Sequence, residues 1–155
     1  MYGAILGDII GSPFEFDRGD KTKEFDLFTK GCDFTDDSVM TIAVGEALLA
    51  VGPQATIKEI EEAVVTNMQD WGGRYPHAGY GGKFRHWLKE KNPKPYGSYG
   101  NGSAMRVSAA GWLYDSMERT REVARATANV THNHPEGIKD AEATACLLYT
   151  SDAAD

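Results

Sequence analysis

An all-α fold is what this sequence predicts, and three observations predict it. Apolar residues recur at helical spacing in several separate segments, each bounded by cap residues, glycine or proline. No stretch sustains the alternation of a half-buried strand. The 155 residues suit one domain, and the 41% hydrophobic share can supply a core without an apolar run long enough to span a membrane.

Gly3, Gly7 and Gly11 fall at i, i+4 and i+8 among Ile5, Leu6, Ile9 and Ile10, so a first helix is expected to present a smooth face to a close neighbour. Glycine costs helix stability, so that face calls for a packing or ligand reason. Pro13 stops the helix, and Phe14, Glu15 and Phe16 enter a polar loop that runs to Lys30. A second helix opens at Thr35-Asp36-Asp37-Ser38, carries Val39, Ile42, Ala43, Ala47 and Leu48 along one stripe, and ends before Gly52-Pro53. Thr56 caps a third, in which Ile57, Ile60, Val64, Met68 and Trp71 repeat on one face while Glu59, Glu61 and Glu62 form a solvated one. From Gly72 to Gly102 the chain turns rich in Gly, Pro, Tyr and Asn, with one short helix over Lys83 to Lys89. Neither flank could bury a core alone, so this stretch connects parts of one domain. Helices follow from about Ala104, from about Thr120 to Asn129, and from Pro135, a residue suited to a first turn.

Charge and cysteine usage narrow the function. A net charge of −7, with cations dispersed, argues against binding a nucleic-acid backbone. Cys32 and Cys146 are too few for a disulfide scaffold and lack the spacing of a zinc site. No export signal is recognisable, so a cytoplasmic location without membrane association is expected.

Four clusters carry chemistry. Thr35-Asp36-Asp37 offers hard oxygen ligands suited to magnesium or manganese; as a helix start the same residues serve as cap and dipole partners. Gly7-Asp8-Ile9-Ile10-Gly11 places an acid within an apolar helix, where it calls for a buried partner or acts as a cap, and Glu15 follows in the loop. Gly100-Asn101-Gly102-Ser103-Ala104-Met105-Arg106 leads small residues into a helix, either as backbone amides facing a phosphate or ribose, or as a plain turn with Ser103 as N-cap. Thr131-His132-Asn133-His134-Pro135-Glu136-Gly137 holds two histidines that could meet a metal or ligand, with capping by Asn133 or His134 as the alternative.

Taken in order, these four motifs resemble the ADP-ribosylglycohydrolase family over residues 1 to about 145, as the N-terminal part of a single domain. The resemblance implies an all-α domain with two magnesium ions in a central cleft, cleaving the glycosidic bond between ADP-ribose and a protein side chain or small acceptor. It implies Thr35, Asp36 and Asp37 as metal ligands, Glu15 and Asp36 as catalytic acids, and Gly100, Asn101, Gly102, Ser103 and His132 as substrate contacts. The family's second metal motif, Asp-x-Asp-Thr, has no counterpart here, so the chain is expected to be truncated and inactive alone. Residues 146–155 translate TGTCTCTTATACACATCTGACGCTGCCGAC codon by codon, which resembles a transposase adapter used in sequencing libraries. They are therefore expected to be an adapter-derived artefact, and without them the charge becomes −5. Two other classes stay open: a non-catalytic ADP-ribose or nucleotide-binding module of the same fold, and a magnesium-dependent nucleotide-diphosphate phosphohydrolase.

Overall fold

In the first turn of its second helix the chain shows how local chemistry sets its elements. Thr35 sits in extended backbone and its hydroxyl accepts the Asp37 amide at 3.3 Å, while Asp36 and Asp37 complement the positive end of the helix. The computed structural model describes residues 1–15 and 22–152, and in that part it is helical. The elements are α1 (Tyr2–Gly11), a 3-10 turn (Ser12–Phe14), α2 (Asp36–Val51), α3 (Ile57–Arg74), α4 (Gly82–Trp87), α5 (Gly102–Met105), α6 (Ser108–Trp112), α7 (Met117–Asn129) and α8 (Pro135–Asp152). No described residue is in a strand. Phe16, part of the expected loop, and residues 153–155 lie outside the described residues.

Helix α2 is the central element, packed on α1, α3, α5 and α6. Val39, Ala43, Ala47 and Leu48 are buried as expected, but so are Met40, Thr41 and Val44, and Ile42 is only half-buried. A single stripe underestimates a helix that is enclosed on several sides. Helix α3 starts with a capping box: Glu59 accepts the Thr56 amide at 2.8 Å, and Thr56 accepts the Glu59 amide at 3.3 Å. Glu59 is thus a cap residue rather than part of a merely solvated face, and Glu61 accepts the Asn129 amide group at 2.8 Å, tying α3 to α7. Ile60, Val64 and Met68 are fully buried, each contributing roughly 1.5–3 kcal/mol to folding.

Three expectations need correction. A Cβ built on Gly3, Gly7 or Gly11 meets nothing within 4 Å among the described residues, so the glycine face of α1 has no close neighbour there. The helix expected from Ala104 is two short ones, because the backbone at Arg106 leaves the helical region and its side chain, rather than a continuing ladder, takes the Gly102 carbonyl at 2.7 Å. Helix α7 starts before Thr120, since Ser116 caps it by accepting the Arg119 amide at 3.2 Å.

Helix α8 packs against α5, α6 and α7 and runs on through residues 146–152. A Cβ on Gly111 would lie 2.7 Å from the Leu148 Cβ and 2.9 Å from the Ala145 carbonyl oxygen, and the Tyr149 hydroxyl donates to the Asp115 carbonyl at 3.2 Å. No helix of the described residues is long and apolar enough to cross a membrane. Cys32 and Cys146 are both free thiols.

Candidate functional site

The acids of the first two sequence clusters meet at the junction of α1, the 3-10 turn and α2. Asp8 projects from α1 into the N-terminus of α2. Its Oδ2 accepts the amides of Thr35 and Ser38 at 2.8 and 3.0 Å and the Ser38 hydroxyl at 2.5 Å, while its Oδ1 accepts the Thr35 hydroxyl at 2.6 Å. The buried partner expected of an acid in an apolar helix is therefore a helix start, which is electropositive. Glu15 follows the Pro13 turn, and one carboxylate oxygen each of Asp8, Glu15 and Asp37 lies within 4.8 Å of the others. The acids that cluster are thus Asp8, Glu15 and Asp37, whereas Asp36 faces a neighbouring cleft and Thr35 is held by Asp8.

Four acids so close disturb one another. Burial, then the charge of Asp37, with Glu15 and Asp8 adding, lifts Asp36 to a pKa of about 6. Burial, and then the Asp8 charge, pushes Asp37 upward too. Gly79, at φ +102°, brings the backbone against this group: a Cβ there would lie 3.4 Å from Asp36 Oδ1. The buried Tyr80 hydroxyl beside it is pushed up to about 12 by burial and the Asp36 charge.

The cleft that Asp36 enters has a volume of about 340 Å³. Its walls include Gly100, Asn101 and Gly102 from the third motif and His132 from the fourth, so clusters far apart in sequence share one surface. Ser103 is not in that lining; it is fully buried and donates its hydroxyl to the Gly137 carbonyl at 2.7 Å, holding α5 to the start of α8 rather than capping a helix. Asn133 accepts the Gly97 amide at 2.8 Å, and His134 Nδ1 accepts the Glu136 amide at 3.2 Å, so His134 is the capping residue of the fourth motif.

The sequence alone did not reveal the second wall, made by Gly81, Gly82, Lys83, Phe84 and Tyr96, nor the role of Arg106, the last residue of the third motif. Arg106 is 1% exposed, donates to the Gly102 carbonyl, the Thr127 carbonyl and the Thr131 hydroxyl, and lies over the Phe84 ring at 5.9 Å. No carboxylate of the described residues pairs with it. Burial lowers its pKa to about 10, and burial together with the Arg106 charge lowers His132 to about 4, leaving that imidazole neutral near pH 7. The run Gly-Asn-Gly-Ser-Ala-Met-Arg did contain a signal, an arginine one turn after Gly102, but only the fold buries it.

The sequence profile described as ADP-ribosylglycohydrolase matches residues 1–154. Among similar proteins, ADP-ribosylhydrolase ARH3 of Homo sapiens is 32% identical over 178 residues, covering 96% of this chain and 48% of that protein. The proteins of the same name from Xenopus tropicalis and Mus musculus are 28% and 29% identical, over 96% of this chain and 48% and 47% of their own lengths. The chain thus spans about half the length of the curated relatives it matches.

Proposed function

Since the chain belongs to the ADP-ribosylglycohydrolase family, we propose that the full-length protein hydrolyses the glycosidic bond between ADP-ribose and a protein side chain or small acceptor. The observation that carries the proposal is the shared cleft, in which Asp36, at the edge of an acid cluster, faces the same space as the Gly100–Gly102 turn and His132. One end suits a cation and hydroxyl groups, the other a phosphate-bearing ligand.

The donor set fits a hard divalent cation, magnesium or manganese. It is all oxygen, and Asp36 and Asp37 are raised first by burial and then by the charge of neighbouring acids, the setting of carboxylates that a cation would relieve. Asp36, Asp37 and Thr35, with Glu15 beside them, would hold it, and a second ion of a binuclear site would need further ligands. When bound, divalent ions supply positive charge that orients hydroxyl oxygens and acidifies water.

The chain's own residues do the rest. Asp8 fixes Thr35 and the first turn of α2, so that Asp36 and Asp37 keep their directions. Glu15, which follows the Pro13 turn and belongs to the acid cluster, and Asp36, on the cleft wall, are the groups we assign to accept or return a proton as water displaces the acceptor from the ribose. The Gly100–Gly102 turn and Arg106 line the cleft together, and we assign the turn's backbone and that positive charge to a diphosphate, which needs no basic outer surface. Gly102 and His132 close that side of the cleft. A reducing, cytoplasmic setting is part of the proposal, in keeping with the free thiols of Cys32 and Cys146. The 155-residue chain alone is proposed to hold ligand without turnover. Incubating full-length protein with an ADP-ribosylated protein and magnesium tests the proposal: intact ADP-ribose is the expected product, whereas AMP means phosphoanhydride cleavage and binding without product means a non-catalytic module.

A further inference from the structure

We propose that Arg106, acting through the Thr131 hydroxyl, fixes the tautomer of His132 so that its Nε2–H stands at the cleft as a hydrogen-bond donor. Guanidinium groups only donate, so Thr131 Oγ1 accepts from Arg106 Nη2 at 2.8 Å. The same oxygen lies 2.7 Å from His132 Nδ1. If Nδ1 carried the imidazole proton, Thr131 would accept twice and its own hydrogen would be left without a partner at a fully buried position. With the hydroxyl donating to Nδ1 instead, Thr131 Oγ1 and His132 Nδ1 are both satisfied, and the neutral ring must carry its proton on Nε2.

The place of that nitrogen follows from the packing. A Cβ on Gly102 would lie 3.0 Å from both Nε2 and Cε1 of His132, so this edge of the ring abuts the glycine turn, and both residues line the cleft. Arg106 is suited to the task because its rigid fork spans two segments, with Nη1 on the Gly102 carbonyl at 2.7 Å and Nη2 on Thr131 and the Thr127 carbonyl. Its Nε has no partner, which marks a charge kept in the interior despite an incomplete set of hydrogen bonds. Arg106 and Thr131 are thus positioning residues, and the ligand groups that His132 would recognise are acceptors: phosphate oxygens or ribose hydroxyls. The use of the donor rests on the ADP-ribose proposal; the tautomer itself does not.

The test is nitrogen NMR of the 155-residue chain carrying labelled histidine, which has four such residues, near neutral pH and without ligand. The expected spectrum shows His132 with a protonated Nε2 and a bare, hydrogen-bonded Nδ1. Thr131→Val is expected to move the Nδ1 resonance downfield as its donor is lost, and Arg106→Met to introduce a population protonated on Nδ1. A native His132 protonated on Nδ1, an Nδ1 resonance unmoved in Thr131→Val, or a folded Arg106→Met with an unchanged tautomer would each overturn the proposal. Should Arg106→Met not fold, the first two spectra decide. Adding ADP-ribose is expected to shift Nε2; an Nε2–H tautomer with no such shift would support the proposal and count against ADP-ribose as the ligand.

Discussion

The carboxylate of Asp8 grips Thr35 twice, accepting its hydroxyl at 2.6 Å and its amide at 2.8 Å, across a separation of 27 residues. This pair joins α1 to α2 and commits the Thr35 hydroxyl hydrogen to Asp8, leaving the oxygen one lone pair beyond that taken by the Asp37 amide. Asp8→Ala removes an acceptor of four hydrogen bonds at a helix N-terminus and is expected to cost about 2–4 kcal/mol of stability. Asp8→Asn should cost less in stability yet still weaken magnesium binding, because an amide cannot accept on both sides. Denaturant midpoints and magnesium titrations of the two variants check this; magnesium binding at full strength in Asp8→Asn would contradict it.

Acid titration gives a second prediction. Asp36 holds its proton to about pH 6, against 3.8 for an ordinary aspartate, so the native state binds that proton more tightly than the unfolded chain. Stability from this group is therefore full below about pH 4 and is lost as pH rises to about 6, by about 1–2 kcal/mol after solvent screening. Magnesium competes with the proton, so its stabilising effect should be larger near pH 7 than near pH 5. Thermal melts with magnesium and with chelator at both pH values measure it, and equal shifts at the two would refute the assignment.

Two glycines in helices should respond oppositely to alanine. At Gly137 a Cβ would lie 2.8 Å from the Ser98 carbonyl oxygen and 3.1 Å from the His132 Cβ, so backbone must shift and a loss of about 1–3 kcal/mol is expected. At Gly7 a Cβ meets nothing within 4 Å among the described residues, so Gly7→Ala should gain about 0.5–1 kcal/mol from helix propensity. Melting temperatures that move in the same direction would contradict the packing.

Gly102→Ala probes the cleft without deleting a polar group. The new methyl would stand 3.0 Å from the His132 ring, which must give by a few tenths of an ångström. Affinity for ADP-ribose is expected to fall about tenfold, the equivalent of about 1.4 kcal/mol, with the fold retained. Calorimetric titration of native and variant chains checks it; unchanged affinity would remove this turn from the ligand site.

Much of the fold is legible in the sequence because it is written locally. Thr35, Thr56 and Gly52 mark helix ends through groups a few residues away, and the apolar spacing of α3 names Ile60, Val64 and Met68 as core. What was illegible depends on distant partners. Nothing near Arg106 in sequence foretells that Thr127 and Thr131 will surround its guanidinium, or that its backbone will end one helix and start another. Asp8 was legible as an acid needing a partner, but not that the partner would be the Thr35 turn. Gly3, Gly7 and Gly11 suggested a close neighbour that the described residues do not contain. Ser103 and Asn133 read as caps by residue type, yet tertiary contacts use them as ties between α5, α8 and the loop at Gly97.

We propose that the cleft belongs to a protein that cuts the glycosidic bond of ADP-ribose conjugates. Mass analysis of the nucleotide released from an ADP-ribosylated protein by the full-length protein, with magnesium and with chelator, is the decisive measurement. Intact ADP-ribose is expected, released with magnesium and suppressed by the chelator and by Asp36→Asn. AMP as the product, or release of ADP-ribose that is indifferent to magnesium and to Asp36, would contradict it.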